Sequence, residues 1–519
     1  MQLAFRQIEA VPRLSWCARI REGSEAAEIV HGPWVETAAD SFSEGAWDGD
    51  FEAGGFEGAF FTGTGGKATP EGFLAATPDH TLDRLFLLRK GDFLFISNSL
   101  YFVLAQAEDE LHPRHLFYDS ALASIVEGTK GYARWIPTRE GRLVRTVVHA
   151  NVIVGPDLRV RERPKPPAPE FRDFAEYKSF LLRTVTGLCA NARDPRRKVR
   201  YEPMATISSG YDSPAAAVIA RAGGCAEALT FREARGTKDA QDSGAAIGAA
   251  LGMQVTSCDR LAYLARDDFP EAEYYGGPCE LASVSELLER RILFTGFHGD
   301  KVWDRSCDIV SRTIKRGDSS GSTYGEARLR VGFFHLPVPF IGCTSHPSIH
   351  RISNSEEMRP WSLANSYDRP IPRRLLEESG VERRQFGMKK RAVGVYVPAE
   401  GFEATMTPKS YADFARFSAE RWTRRFAVQS LFVRCVRFVY KKNKWLNRKA
   451  AEILRRTLGI DVAPPILVPR WLRLPTHGYL GREALLFHWS AGKILPRYRI
   501  AEGALEFLPG GMRPDGAGR

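Results

Sequence analysis

The residues best suited to chemistry stand in a short serine-rich segment, Ser-Ser-Gly-Tyr-Asp-Ser-Pro, at positions 208–214. An apolar run at 204–207 precedes it and an alanine-rich run at 214–222 follows, so it links a predicted strand to a predicted helix. Small residues let the backbone approach a phosphate, and the amide groups at a helix start point toward an anion. Serine hydroxyls add hydrogen bonds to phosphate, whereas the carboxylate of Asp212 suits Mg²⁺. The segment therefore predicts a phosphate site whose candidate residues are Ser208, Ser209, Gly210, Tyr211, Asp212 and Ser213.

A second acidic residue follows another predicted strand. Residues 295–301 read Thr-Gly-Phe-His-Gly-Asp-Lys and come after an apolar run at 292–295. Because the carboxyl ends of parallel strands share one edge of a sheet, Asp212 and Asp300 are expected to lie near each other there. Two such carboxylates suit Mg²⁺ and a triphosphate, although a glycine turn with a solvated aspartate gives the same pattern. His298 is interpreted as a structural residue rather than a general base.

Segment 208–214 resembles the PP-loop of asparagine synthetases and of the related β-lactam and carbapenam synthetases. The family pattern is Ser-Gly-Gly-Xaa-Asp-Ser-Ser, from which this chain departs at Ser209 and Pro214. A second family segment, Ser-Gly-Glu-Gly-Ala-Asp-Glu, is matched at Gly296 and Asp300 but not at the glutamates. The resemblance implies that ATP binds here, that the aspartates of both segments hold Mg²⁺, and that Gly296 contacts the nucleotide.

The same resemblance extends to the region between the two motifs. Family members bind adenine partly through backbone groups at the end of the second strand, where this chain has Thr230 and Phe231. The family helix after that strand is matched by a predicted helix at 239–251. By itself such a helix indicates only core packing.

Two further stretches resemble family segments near the active site. The family's Glu-Xaa-Arg-Xaa-Pro-Phe corresponds loosely to residues 355–361 and makes Glu357 a candidate catalytic residue. A basic, glycine-containing stretch follows at 383–390. In the family a lysine there contacts the phosphates and stabilises charge that develops during adenylation. Lys389 and Lys390 are the candidates, with a solvated basic turn as the alternative.

The N-terminal region resembles, more weakly, the Ntn-type amidotransferase domain of the family. Predicted strands at 85–88 and 93–96 match its paired strands, and 144–154 is predicted as a further strand. The family nucleophile is a cysteine directly after the initiator methionine, where this chain has Gln2. Because that catalysis needs a thiol beside its own free α-amino group, the resemblance implies a degenerate domain without glutamine hydrolysis.

The order of predicted elements gives the fold class and three regions. Strands and helices alternate from 204 to 256, which predicts an α/β fold with a doubly wound parallel sheet. By resemblance this is a PP-loop synthetase domain of the adenine nucleotide α-hydrolase-like type, at 170–400. A degenerate Ntn-type α+β domain at 1–162 precedes it, joined by a proline-rich linker at 163–169. A basic, mainly helical extension at 401–519 follows it.

Positive charge is concentrated in that extension, which has 22 Lys and Arg against 9 Asp and Glu in a chain of net charge +11. A predicted amphipathic helix at 426–440 has arginines on one face, and its apolar face holds Val428, Leu431, Phe432, Cys435, Val436 and Val439. An anionic partner is expected here, either a lipid surface or a phosphorylated substrate. The plainer interpretation packs the apolar face on the synthetase core and leaves the arginines in solvent.

Cysteine usage and hydropathy favour a cytoplasmic location. The eight cysteines are scattered and none form a Cys-Xaa-Xaa-Cys pair, which is typical of a reduced protein. The first residues carry no apolar core of a signal peptide, and no stretch of about 18 apolar residues is present. We therefore expect an intracellular protein without a transmembrane segment.

These observations favour an ATP-dependent carbon–nitrogen ligase of the asparagine synthetase type. Such an enzyme activates a small-molecule carboxylate as an acyl-adenylate, releases pyrophosphate and forms an amide bond with an amine. A PP-loop enzyme that modifies RNA is the alternative, disfavoured by the lack of paired cysteines. A non-catalytic nucleotide-binding scaffold is the third hypothesis, because Ser209, Phe297 and Lys301 depart from the family patterns.

Overall fold

The computed structural model describes residues 1–232, 242–275, 279–307, 309–363, 365, 367–387, 402–458 and 479–499. Its N-terminal part is built on two largely antiparallel β-sheets. The thirteen strands are β1 Gln2–Gln7, β2 Trp16–Arg21, β3 Ala26–His31, β4 Glu36–Thr37, β5 Ser41–Trp47, β6 Phe61–Thr69, β7 Gly72–Ala76, β8 Leu85–Lys90, β9 Phe93–Ser97, β10 Trp135–Pro137, β11 Leu143–Val147, β12 Ala150–Val154 and β13 Val160–Pro164.

The two sheets pack face to face. The first has the order β1-β3-β2-β9-β8-β11-β10 and the second β13-β12-β7-β6-β5-β4. Residues from most strands of both sheets form a shared apolar core, in which Trp16 of β2 contacts Phe42 of β5 with ring centroids 4.9 Å apart. The predicted strands at 85–88 and 93–96 are confirmed as parts of β8 and β9.

Two details of this region differ from the sequence prediction. The single strand predicted at 144–154 is two strands, β11 and β12, because His149 adopts a left-handed φ of 54° and turns the chain into the other sheet. The proline-rich segment predicted as a linker begins inside β13. Its Lys165 is buried and donates to Asp79 at 2.7 Å, so the start of this segment is fixed to the sandwich.

The second part of the chain is built on a five-stranded parallel sheet. Its strands are β14 Glu202–Thr206, β15 Glu227–Phe231, β16 Gln254–Cys258, β17 Arg291–Thr295 and β18 Phe334–Pro337. They lie in the order β16-β15-β14-β17-β18, and every neighbouring pair is parallel. Side chains alternate between two apolar clusters, so that Ala205 faces one and Met204 the other. The protein is thus α/β with parallel and mixed sheets.

Thirteen α-helices surround these sheets within the described residues. They are α1 Leu100–Gln106, α2 Tyr118–Ala123, α3 Phe174–Ala192, α4 Asp212–Ala222, α5 Ala245–Ala250, α6 Ser285–Leu288, α7 Gly299–Val302, α8 Gly325–Val331, α9 His346–Ser353, α10 Pro370–Glu378, α11 Pro408–Arg421, α12 Arg424–Leu458 and α13 Leu486–Ile494. The helix predicted at 239–251 is shorter, since α5 starts only after Gly244 and residues 233–241 lie outside the described chain.

The three regions share buried contacts. Arg328 of α8 forms a buried ion pair with Glu44 of β5, with nitrogen–oxygen distances of 2.6 and 3.0 Å. The described C-terminal helix α13 packs in one apolar cluster with α1 and the outer face of the first sheet. These contacts hold the sandwich and the C-terminal segment against the parallel sheet.

No helix in the described part of the chain combines the length and apolarity needed to cross a lipid bilayer.

Candidate functional site

A cleft of about 360 Å³ opens at the carboxyl edge of the parallel sheet. Strands β15 and β17 lie on opposite sides of β14, so the direction of winding reverses at this strand and leaves a crevice between the loops that follow β14 and β17. Residues that line the cleft include Ser208, Gly210, Tyr211, Asp212, Ser213, Thr230, Phe231, Arg260, Glu280, Gly296, His298, Asp300, Asp318, Tyr324 and Arg369. The two motifs singled out by sequence therefore meet in one cavity.

The loop between β14 and α4 is held by its own serines. The hydroxyls of Ser208 and Ser213 are 2.8 Å apart, and the Gly210 amide donates to Ser208 Oγ at 3.3 Å. Ser209 is not among the residues that line the cleft, and its hydroxyl donates to Asp242 Oδ1 at 2.9 Å. Helix α4 begins at Asp212, so the amides of its first turn start at the cleft wall. This arrangement can cradle a phosphate group.

Contacts of Tyr211 hold the same loop in place. Its buried ring packs beside the Tyr367 ring at a centroid distance of 4.8 Å, and Arg373 donates to its hydroxyl. A Cβ at Gly387 would lie 2.3 Å from the Tyr211 ring, and the Gly387 amide donates to the Ser209 carbonyl at 2.9 Å. Tyr211 therefore contributes to the site by fixing the loop, with its phenol already engaged.

Asp212 is the most constrained polar residue of the cleft. Burial raises the pKa of its carboxyl to about 6, the Arg369 guanidinium opposes that rise, and the nearby Asp300 adds to it. Oδ2 accepts a hydrogen bond from Arg369. Oδ1 is buried and has no hydrogen-bond partner among the described residues. An acceptor atom left open in this way suits a cation or a bound donor.

Two glycines let the second loop pack directly on Asp212. A Cβ at Gly296 would lie 2.4 Å from the Asp212 carbonyl carbon, and one at Gly299 would lie 2.6 Å from its Cγ. Only glycine permits this approach. The close packing places α7, which carries Asp300 in its first turn, beside the start of α4.

The acidic side chains of the cleft suit Mg²⁺ bound largely through a substrate. Burial raises the pKa of Asp300, and the neighbouring Asp318 raises it further. Within the described residues, no group of three or more His, Cys, Asp or Glu side chains is arranged to hold a metal ion. Mg²⁺ in nucleotide sites commonly takes one or two carboxylates and completes its shell with phosphate oxygens and water. Asp212 and Asp300 fit that pattern.

Thr230 and Phe231 line the side of the cleft at the end of β15. The Thr230 hydroxyl accepts from the Gly244 amide at 2.9 Å, which anchors the start of α5. The Arg260 guanidinium lies 4.5 Å from the Phe231 ring centroid and 3.6 Å from a Glu280 carboxylate oxygen. This wall offers a flat, partly apolar surface with a charged rim, suited to a planar ring such as a purine.

His298 occupies the cleft floor in a left-handed conformation with φ of 74°. It packs on the Phe340 ring with centroids 4.8 Å apart. Burial lowers its pKa well below the usual value. Its Nδ1 is buried and has no hydrogen-bond partner among the described residues, so no acidic group orients it as a base.

The remaining candidate residues are placed differently. Glu357 does not line the cleft: its carboxylate pairs with Arg374 at 2.5 Å and accepts from the Phe174 amide at 3.4 Å, at the start of α3. In this position its two carboxylate oxygens join α3 to α10. Lys389 and Lys390 lie outside the described residues.

Several charged residues of the cleft were missed by sequence reasoning. Arg369 immediately precedes α10, and Asp318 lies in a serine-rich turn, far in sequence from both motifs. Arg260 lies two residues after the end of β16, and Glu280 lies 22 residues after it. The only local signal is Pro370, which marks a helix start beside Arg369. Nothing else in the amino-acid sequence indicates that these four residues line the same cleft.

Neither a scan against protein-family models nor a search of curated proteins finds a match for this chain.

Proposed function

We propose that this chain is an ATP-dependent ligase that activates a carboxylate as an acyl-adenylate and transfers the acyl group to an amine. The observation that carries the proposal is the meeting of Asp212 and Asp300 with the serine loop in one cleft. A phosphate cradle, two carboxylates for Mg²⁺ and a flat apolar wall are together what a bound ATP requires. The resemblance of residues 208–214 to a PP-loop is the reason for proposing adenylation as the reaction.

ATP is expected to lie along the cleft from β15 to α4. The purine packs against Phe231, close to the backbone of Thr230, and the triphosphate extends to the loop at 208–213. Amides of the loop and the hydroxyls of Ser208 and Ser213 bind phosphate oxygens. Gly210 lines the cleft beside them, and Gly296 lets the second loop pack directly on Asp212.

Asp212 and Asp300 would hold Mg²⁺, which when bound neutralises phosphate charge during displacement of pyrophosphate. The open Oδ1 of Asp212 supports this assignment, because Oδ2 is already engaged by Arg369. Both carboxylates have a raised pKa, and a bound cation would relieve the repulsion and desolvation that cause it.

Cationic side chains would stabilise the charge that develops as the substrate carboxylate attacks the α-phosphate. Arg369 lines the cleft and donates a hydrogen bond to Asp212 Oδ2. Lys389 and Lys390 remain candidates for direct phosphate contact. They follow Gly387 by two and three residues in the sequence, and the Gly387 amide donates to the Ser209 carbonyl.

An amine then captures the acyl-adenylate, and AMP leaves. Positioning and charge neutralisation supply most of such a reaction, so no side-chain nucleophile is needed. In this proposal the parallel sheet is a doubly wound PP-loop domain, and the two-sheet sandwich is a degenerate Ntn-type domain. Gln2 in β1 replaces the family cysteine, so the amine is not supplied by glutamine hydrolysis.

Pyrophosphate release tests the proposal. The protein is incubated with ATP, Mg²⁺, pooled carboxylates and pooled amines, and Asp212→Asn and Asp300→Asn are compared with the native chain. Asp157→Asn, at an exposed turn of the sandwich, is the matched control. We expect release by the native chain and the control, and a loss of about 100-fold or more in both cleft variants, because each loses a metal ligand.

Other outcomes favour the two alternatives. An absence of pyrophosphate release together with an absence of ATP binding by calorimetry contradicts the ligase and favours a scaffold. Release that requires RNA, with salt-sensitive RNA binding, favours a PP-loop enzyme that modifies RNA.

A further inference from the structure

Helix α12 has an unusual charge composition for a helix of 35 residues. The helix, Arg424–Leu458, contains eleven Lys and Arg and a single acidic residue, Glu452. Helices that are exposed to water on most of their surface normally mix both signs, because opposite charges one turn apart stabilise them. This helix therefore has a large excess of positive charge.

Among the side chains of α12 that the structure describes, the buried ones lie on one narrow face near its start. Phe426, Ser430 and Val433 are buried, and their spacing of four and three residues places them on one side of the helix. Phe426 belongs to the apolar cluster that includes α13 and α1. This contact anchors the start of the helix.

The opposite face is apolar and exposed. Six large side chains on it are each more than half exposed: Val428, Leu431, Phe432, Phe438, Val439 and Leu446. Their spacing follows the helical repeat, so they form one stripe about 27 Å long. The sequence-based interpretation, in which Val428, Leu431, Phe432 and Val439 pack on the core, is therefore wrong. Phe426 and Val433 take that place.

Basic residues lie within and beside the stripe. Arg424, Arg425, Arg434, Lys442 and Lys449 are all exposed. The Lys442 ammonium lies 5.7 Å from the Phe438 ring centroid, which places charge next to the apolar surface. An occupant of this face must accept apolar side chains and several positive charges at once.

We propose that the exposed face of α12 binds an anionic lipid surface, with the helix lying in the interface parallel to it. Apolar side chains enter the acyl boundary, and the flanking lysines and arginines contact lipid phosphates and carboxylates. The Trp445 side chain is also exposed and suits the headgroup level. The many charged side chains of α12 prevent the helix from spanning the bilayer.

Charge complementarity selects this occupant over a second copy of the chain. A symmetric contact through the stripe would bring two sets of positive charges together, which opposes dimerisation at low salt. Nucleic acid satisfies the charge but leaves the six large apolar side chains without a partner.

Vesicle co-sedimentation of the full chain tests the proposal. One set of vesicles contains phosphatidylcholine alone, and the other contains equal parts of phosphatidylcholine and phosphatidylserine. Binding is expected only to the anionic vesicles and is expected to weaken as salt rises. The double variant Leu431→Glu and Phe438→Glu should lower the partition coefficient at least about tenfold. It removes two apolar side chains that enter the acyl boundary, and it adds two negative charges that the anionic lipids repel.

The matched control places the same substitutions on another surface. Trp135 and Leu143 lie on the sandwich and are also more than half exposed. Trp135→Glu with Leu143→Glu should leave vesicle binding unchanged. A second test variant, Arg434→Glu with Lys442→Glu, should weaken binding about fivefold or more per residue. Circular dichroism confirms that each variant is folded.

Three results would overturn the proposal. One is equal sedimentation with and without anionic vesicles. Another is concentration-dependent dimerisation by light scattering that the Leu431 and Phe438 substitutions abolish. The third is binding of RNA in the absence of vesicle binding.

Discussion

Asp212 and Arg369 form an ion pair across the cleft, although they are separated by 157 positions in the sequence. Asp212 begins α4 and Arg369 precedes α10, and both side chains are largely buried. The pair connects the serine loop to the part of the chain that leads to Gly387. The other carboxylate oxygen, Oδ1, is buried and has no hydrogen-bond partner among the described residues.

Removal of Arg369 should destabilise the protein by about 3 kcal/mol, because it leaves a buried carboxylate without its counter-charge. Urea unfolding of Arg369→Ala measures this loss. The double variant with Asp212→Asn should recover part of it, since no uncompensated charge then remains. Additive losses in the two single variants would show that the pair does not couple the loop to α10.

The glycine contact between the two loops gives a second prediction. Gly296→Ala should cost about 2 kcal/mol and weaken ATP binding, because its Cβ would lie 2.4 Å from the Asp212 carbonyl carbon. Gly492→Ala is the control, since a Cβ there meets nothing within 4 Å and the residue lies in helix α13. That substitution should stabilise the protein by up to about 1 kcal/mol. Equal effects at the two positions would contradict the packed arrangement.

His298 is expected to be dispensable for proton transfer. Asparagine tolerates the left-handed conformation, so His298→Asn should lower pyrophosphate release less than about tenfold. Loss of a general base would lower the rate by about 100-fold to 10,000-fold. A loss in that upper range, with the ATP affinity unchanged, would assign His298 a catalytic role that its surroundings do not indicate.

Glu326 should make stability depend on pH. It is buried between the hydroxyls of Ser99 and Tyr498, each 2.7 Å from one of its oxygens, and burial raises its pKa from 4.5 to about 7. The folded protein therefore keeps a proton that the unfolded chain releases between these values. Its contribution to stability falls as pH rises from 4.5 to about 7.

Glu326→Gln removes this dependence, because the amide has the shape of the protonated acid and cannot ionise. Relative to the native chain, the variant should gain about 3 kcal/mol between pH 4.5 and pH 8, as measured by urea unfolding. Glu108→Gln, at an exposed surface position, is the control without such a gain. A constant difference across this pH range would contradict a protonated Glu326.

Local pattern was sufficient for the elements that carry the site. The apolar run before Ser208 and the alanine-rich run after it predicted β14 and α4 to within two residues at each end, because neighbouring side chains carry the periodicity of strands and helices. The placement of both motifs after parallel strands also followed from the sequence, since short alternating elements leave few topologies.

Only the tertiary structure decided which distant residues complete the cleft and which faces stay exposed. The partner of Asp212 is Arg369, and Glu357 instead joins α3 to α10, because folding brings together side chains that share no sequence neighbourhood. The apolar residues of α12 predict an amphipathic helix, but they do not predict which of its sides faces the core. Phe426 and Val433 are buried, whereas the equally apolar Leu431 and Phe432 are exposed. The sequence determined the secondary structure of each segment, and the packing of the segments decided which distant residues each one contacts.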